Sequence, residues 1–246
     1  MSRKSALIFA LVGFLWGIPY LFIKVAVDEE TGYAPAIVVF GRVLIGAAIL
    51  IPLALKDRSL FAAFRGIKYV AFYAVLEMII PWILIGTAEQ KISSGLAGLL
   101  VASVPIWSNL ITYFQGDKDA LKANRIVGIG IGFIGVVLIV GIETFSGSSD
   151  PLSILMVIVS AIAYSYAVIM IRNKLPDVSG IAINAVAMAI TAIFYLPFTI
   201  ALWPDHTVAP EATWSVIALG VFSTGIAFAV FFTLMADIGP TRASVV

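Results

Sequence analysis

Three side chains that can carry a full charge stand inside long apolar stretches of the sequence: Lys24, Arg42 and Glu77. A charge at the centre of a hydrocarbon-spanning helix costs about 2.5–3.5 kcal/mol on insertion scales, so each of the three calls for a use. Glu77 is the most central. Pro81 follows four residues later and has no N–H, which leaves the Glu77 carbonyl without its helical donor and should kink the segment. Desolvation of a carboxyl at that depth makes proton exchange possible near neutral pH, so a proton is a candidate partner of Glu77. The other reading is structural, with Glu77 neutral or paired to Arg42. Counted at 1.5 Å per residue, Arg42 and Glu77 lie about 12 and about 15 Å from the same surface, so such a pair is geometrically open.

Gly13, Trp16, Gly17, Tyr20 and Lys24 recur at helical spacing and share one face. Small, aromatic and cationic residues together suit the wall of a cavity better than a lipid contact. Lys24 could equally snorkel to the nearby surface. Two other patterns carry less. Gly130-x-Gly132-x-x-Gly135 matches a dinucleotide fingerprint, but no strand precedes it and it lies within an apolar span. Gly128, Gly132 and Gly135 are better read as a small-residue packing face. Ser93-Ser94 has no histidine within any span to act as a base, because the one histidine, His206, lies in a polar loop beside Asp205. The chain has no cysteine and no cluster of ligating residues, so neither a cofactor nor a metal site is expected.

The elements that must hold these residues are membrane helices. Of the 246 residues 61% are hydrophobic and 12% are charged, where a soluble domain carries roughly 25% charged residues. Lipid must therefore be the solvent for much of the surface. Eight apolar segments each approach the ~20 residues needed to cross the bilayer: Ala6–Val27, Ala34–Leu55, Ile67–Ala88, Ser93–Phe114, Asn124–Ile142, Leu152–Ile171, Gly180–Trp203 and Thr213–Ala236. None alternates in polarity as a barrel strand would. The start of a ninth follows Gly239-Pro240. The first segment runs on to Val27 without a small-residue cleavage site and reads as a span rather than a leader.

Lysine and arginine collect on alternate connections, around Arg3, Lys4, Lys56, Arg58, Arg65, Lys68, Lys118, Lys122, Arg125, Arg172, Lys174 and Arg242, whereas Lys91 stands alone on the others. Those other connections are acidic, with Asp28, Glu29, Glu30, Glu89, Glu143, Asp150, Asp205 and Glu211. This asymmetry predicts a multi-pass protein of the cell (inner) membrane with a cytoplasmic N-terminus. No basic run exceeds two residues, so nucleic acid is not an expected partner.

The sequence also repeats. Trp16 precedes Lys24 by eight residues, and Tyr164 precedes Arg172 by eight, 148 positions later. The stretch from Ile92 to Leu100 resembles that from Ile238 to Val246, 146 positions later, and at that offset Ser223 corresponds to Glu77. A repeat with five spans, an odd number, enters the membrane from opposite sides in its two copies. This predicts a first repeat over 1–146 with five helices and a second over 147–246 with three helices and the start of the next. The sequence would then stop short of its final helices.

Trp16-Gly17 with Lys24, the Ser94-Gly95…Ala97-Gly98…Pro105 pattern, Gly128…Gly135, and Gly220-Val221-Phe222-Ser223-Thr224-Gly225 with Thr241-Arg242-Ala243-Ser244 resemble the EamA-type transporters of the drug/metabolite transporter superfamily. The resemblance spans the chain. It implies a ten-helix carrier of two inverted five-helix halves, both termini cytoplasmic, around a central cavity. It also implies a secondary transporter, not an enzyme, that moves small metabolites such as amino acid-like solutes or drugs, often outward, by alternating access. Trp16, Tyr20, Lys24, Arg42, Glu77, Pro105, Tyr164 and Ser223 are the residues expected to bind substrate or line that cavity. A non-transporting membrane scaffold or receptor is the alternative, and a lipid-modifying membrane enzyme is a further one.

Overall fold

In a computed structural model of the chain, residues 3–117 and 150–238 are described, together with isolated positions between 127 and 138. The described residues are helical and contain no strand. Seven helices are long and apolar enough to cross a membrane: α1 (Arg3–Ala26), α2 (Pro35–Lys56), α3 (Ile67–Glu89), α4 (Ser94–Phe114), α5 (Pro151–Lys174), α6 (Gly180–Ala201) and α7 (Pro210–Met235). They coincide with seven of the eight expected spans. The remaining one, Asn124–Ile142, lies outside the described residues apart from those isolated positions, as does the run from Gly239 to Val246. Among the described residues a Cβ at Gly128 or Gly135 would meet nothing within 4 Å, and one at Gly132 would lie 3.8 Å from Ile106.

Proline and short polar side chains set the helix boundaries. Pro35 and Pro151 open α2 and α5 in their first turns, where a missing N–H costs nothing. Asp150 caps α5 by accepting from the Ser153 N–H at 2.8 Å, and Ser93 caps α4 by accepting from Leu96 N–H at 3.1 Å. Proline also interrupts. α1 breaks at Ile18, ahead of Pro19, and α4 breaks at Ala102–Ser103, ahead of Pro105. At the second break Ser103 bonds back to the Leu100 carbonyl at 2.5 Å and receives Trp107 Nε1–H at 3.0 Å.

The kink expected at Pro81 takes the form of a wide π-type turn over Val75–Ile79, in which the Ile80 N–H bonds the Val75 carbonyl. A second wide turn, Leu219–Ile226, interrupts α7. Wide turns leave backbone carbonyls for outside donors, and the Tyr195 hydroxyl takes one, donating to the Ile79 carbonyl at 2.7 Å.

α2 and α6 make the most extensive packing. α5 lies along α4 and the second half of α3, while α7 lies along both halves of α1 and along α2. Lipid gives no hydrophobic drive for helix association, so close backbone approach and buried polar contacts must hold the bundle. The α2–α7 seam shows how. A Cβ at Gly220 would fall 2.6 Å from Ile45, one at Gly225 2.4 Å from Ile49, and one at Gly46 2.7 Å from Thr224. Each glycine is a hole for a side chain of the facing helix. Ser165 on α5 donates to the Val104 carbonyl, just past the α4 break, at 2.9 Å. Buried side chains form one cluster around Leu50, Met78, Met188 and Tyr195 and another around Ile23, Ile85, Leu96 and Leu219. Tyr164 packs against both. The exterior is apolar, with Leu7, Ile193 and Ile200 broadly exposed, as a lipid-facing surface requires.

Candidate functional site

Arg42 lies in the first half of α2, facing the second wide turn on one side and the segment of α3 that follows the first on the other. Its Nε–H donates to the Thr224 hydroxyl of α7 at 2.7 Å, and its guanidinium carbon sits 3.7 Å from the centroid of the Trp82 ring of α3. Gly46 makes the first contact possible, because a larger residue would push Thr224 away. The remaining guanidinium N–H groups meet no hydrogen-bond acceptor among the described residues. A small cavity of about 10 Å³ opens beside Arg42, walled by Ile23, Val38, Val39, Trp82 and Gly86. That is about the room of one water. The arrangement gives a fixed cation, one flat face covered by an aromatic ring, with free donors for an anionic or strongly polar group.

Glu77 sits in the first wide turn, and its Oε2 is buried with no hydrogen-bond partner. No ion pair joins it to Arg42 among the described residues, which turn Arg42 toward Thr224 and Trp82 instead. Ser223 occupies the second wide turn, fully buried, and its hydroxyl also has no partner. Beside Glu77, the buried Tyr73 hydroxyl donates to Asn184 Oδ1 at 3.2 Å, and Asn184 donates in turn to the Gly180 carbonyl at 2.9 Å.

The other expected residues divide. Tyr164 bridges the two buried clusters, and the Tyr20 ring lies against Gly98, where a Cβ would come within 3.1 Å. Trp16 packs on the last segment of α7, its ring 5.7 Å from Phe228 and 4.7 Å from Phe231. Pro105 is exposed among the described residues; it opens the second half of α4, and its carbonyl accepts from Asn109 at 2.8 Å. Lys24 reaches across to the end of α3, where its ammonium bonds the carbonyls of Glu89, Gln90 and Ile92.

Glu89 stands at a span end, as the last residue of α3, but it is 0% exposed, which its place in the sequence does not reveal. The polar triplet Glu89-Gln90-Lys91 looks like a loop, but α1 folds over it. The signal available in the sequence was Lys24, a cation within an apolar span at a matching depth.

Beyond the helix ends a cleft of about 410 Å³ is lined by Asp28, Glu29, Tyr33, Gln90, Trp203, Asp205 and His206. His206 Nε2 lies 3.1 Å from the Gly32 carbonyl, and the Tyr33 hydroxyl 2.9 Å from that of Thr213. Asp28 accepts from Thr31 and Glu30, which holds its carboxyl below the usual carboxylate range.

Comparison with known proteins gives these contacts a setting. The EamA-like transporter family matches residues 3–141 and 151–246. The chain is similar to the uncharacterized transporter YoaV of Bacillus subtilis (strain 168), 23% identical over 240 residues that cover 95% of this chain and 80% of that one. An uncharacterized transporter of Archaeoglobus fulgidus is 25% identical over 249 residues, 98% of this chain and 84% of its own. The uncharacterized inner membrane transporter YedA of Escherichia coli (strain K12) is 23% identical over 234 residues, 94% and 74% of the two chains. A solved structure described as "Crystal structure of protein" superposes with a TM-score of 0.67 at 19% identity, over 100% of this chain and 83% of the other. It shows likeness of fold alone.

Proposed function

We propose, from the premise that this chain belongs to the EamA-like transporter family, that it carries a small metabolite across the inner membrane by alternating access between two inverted halves. The halves are 1–146 and 147–246, and the solute is of the amino acid-like or drug-like kind, moved outward. The observation that carries this reading is the pair of wide turns. Glu77 and Ser223 are 146 positions apart, each sits in an interrupted membrane helix, and each has a buried polar atom without a partner. Carriers built from inverted repeats place their sites at such discontinuities.

Packing supports the same relation. α5 lies on α3 and α1 on α7, a pairing that a two-fold axis between the halves would require, and the equivalent helices α2 and α6 pack on each other. The distribution of lysine and arginine supports a cytoplasmic N-terminus. Arg42 is the fixed charge of the site, Trp82, Tyr20 and Tyr164 are its aromatic walls, and Glu77 is its proton-exchanging group. The test is counterflow in proteoliposomes loaded with a panel of labelled amino acids, organic acids and cationic drugs. Saturable exchange of at least one class is expected, and flux equal to that of empty liposomes for every class would refute the reading.

A further inference from the structure

Glu89 has no part in the site proposed above. It is fully buried, and neither carboxylate oxygen has a hydrogen-bond partner. Lys24 arrives at the same place but spends its donors on backbone. Its ammonium bonds the carbonyls of Glu89 at 2.5 Å, Ile92 at 3.1 Å and Gln90 at 3.3 Å. The Glu89 and Gln90 carbonyls close α3 and carry the negative end of its dipole, while that of Ile92 lies in the turn before α4. No ion pair within 4 Å joins Lys24 to the Glu89 carboxylate among the described residues. The carboxylate does lie within electrostatic reach of Lys24 on α1 and Arg42 on α2. Three carbonyls converge on one point, and the enclosed Glu89 carboxylate supplies a single negative charge from beyond contact distance. That arrangement matches a hard monovalent cation: unwound carbonyls and helix C-termini are the usual donors for such ions in carriers. A divalent metal would call for more acidic ligands, and the described residues contain no group of three.

We infer that the carbonyls of Glu89, Gln90 and Ile92 form a monovalent-cation site, charged from nearby by the Glu89 carboxylate, in which Lys24 is a tethered cation, and that Na⁺ takes the site when this lysine is removed. The inference goes beyond the transport reading and is tested without measuring transport. In purified Lys24→Met, thermal stability is followed in NaCl against N-methylglucamine chloride at equal ionic strength. A rise specific to Na⁺ is expected, about 3 °C or more once Na⁺ exceeds its dissociation constant tenfold. Wild type should show no such rise, nor should Lys24→Met combined with Glu89→Gln. A folded Lys24→Met that ignores Na⁺ overturns the inference, as does an equal response in wild type or in the double variant. Should Lys24→Met fail to fold, Glu89→Gln added to it should restore the yield, since the unpaired buried charge is then gone. Equal failure of the single and double variants overturns the inference as well.

Discussion

Replacing Arg42 by lysine separates the role of its charge from that of its shape. The positive charge and some ability to donate to Thr224 survive. The flat guanidinium 3.7 Å from the Trp82 ring does not. A cation stacked on a buried ring contributes about 1–2 kcal/mol, and Trp82 is only 7% exposed. The Nε–Thr224 bond, at 2.7 Å, is charge-assisted and contributes about 1.5–3 kcal/mol net, of which lysine regains a part. The expected loss for Arg42→Lys is therefore about 2 kcal/mol, or a fall in Tm of about 4–8 °C for a chain of this size. A double-mutant cycle with Trp82→Leu isolates the stack. Equilibrium unfolding in mixed detergent micelles should give a coupling of about 1–2 kcal/mol between the two positions. Losses that add to within about 0.3–0.5 kcal/mol would mean that the two side chains do not interact, and the site geometry would fall with them.

Glu77→Gln should abolish the pH dependence of solute flux in proteoliposomes while leaving the yield of folded protein unchanged; an unaltered pH profile removes Glu77 from coupling. Gly225→Leu should overpack Ile49, whose side chain would lie 2.4 Å from the new Cβ, and lower stability by about 1–3 kcal/mol in the same unfolding assay. Pairing it with Ile49→Ala should recover most of that loss. Asp150 is held below its ordinary 3.8 by bonds from Ser153, so its contribution is present above that value and disappears as pH falls through the lower folded-state pKa. Asp150→Asn should flatten this acid-side loss in a melting series. Cysteines placed singly at Glu30 and His206 should react with an impermeant thiol reagent added to intact cells, whereas one at Arg58 should react only after permeabilisation; the chain's lack of native cysteine keeps the signal clean.

The spans are readable from sequence because each is a long apolar run closed by charge, proline or glycine, and seven appear as helices at nearly those boundaries. Pro81 announced a disturbance beside Glu77, but a missing N–H does not reveal whether the helix will bend or widen. Arg42 was recognisable as a charge in a span. Its partner, Thr224, stands 182 residues away, and its aromatic cover is one of several tryptophans, so only the packing of α2 against α3 and α7 selects them. The burial of Glu89 was not legible for a related reason. Local polarity describes a residue's neighbours along the chain, and burial at a helix end is decided by another helix.

A wide turn is an α-helix carrying one residue too many, and the excess works as a phase shift. Each residue of an α-helix advances about 100° around the axis, so one surplus position rotates everything beyond it by that amount relative to everything before. In α3 the part so rotated includes Trp82, Gly86 and Glu89, which meet Arg42, Pro35 and the reach of Lys24. The stretch Val75–Ile79 thus acts as an indexing step between the two ends of α3. Substitution there alters one side chain, whereas deletion of a single residue would turn the whole Trp82 face of the helix away from α2.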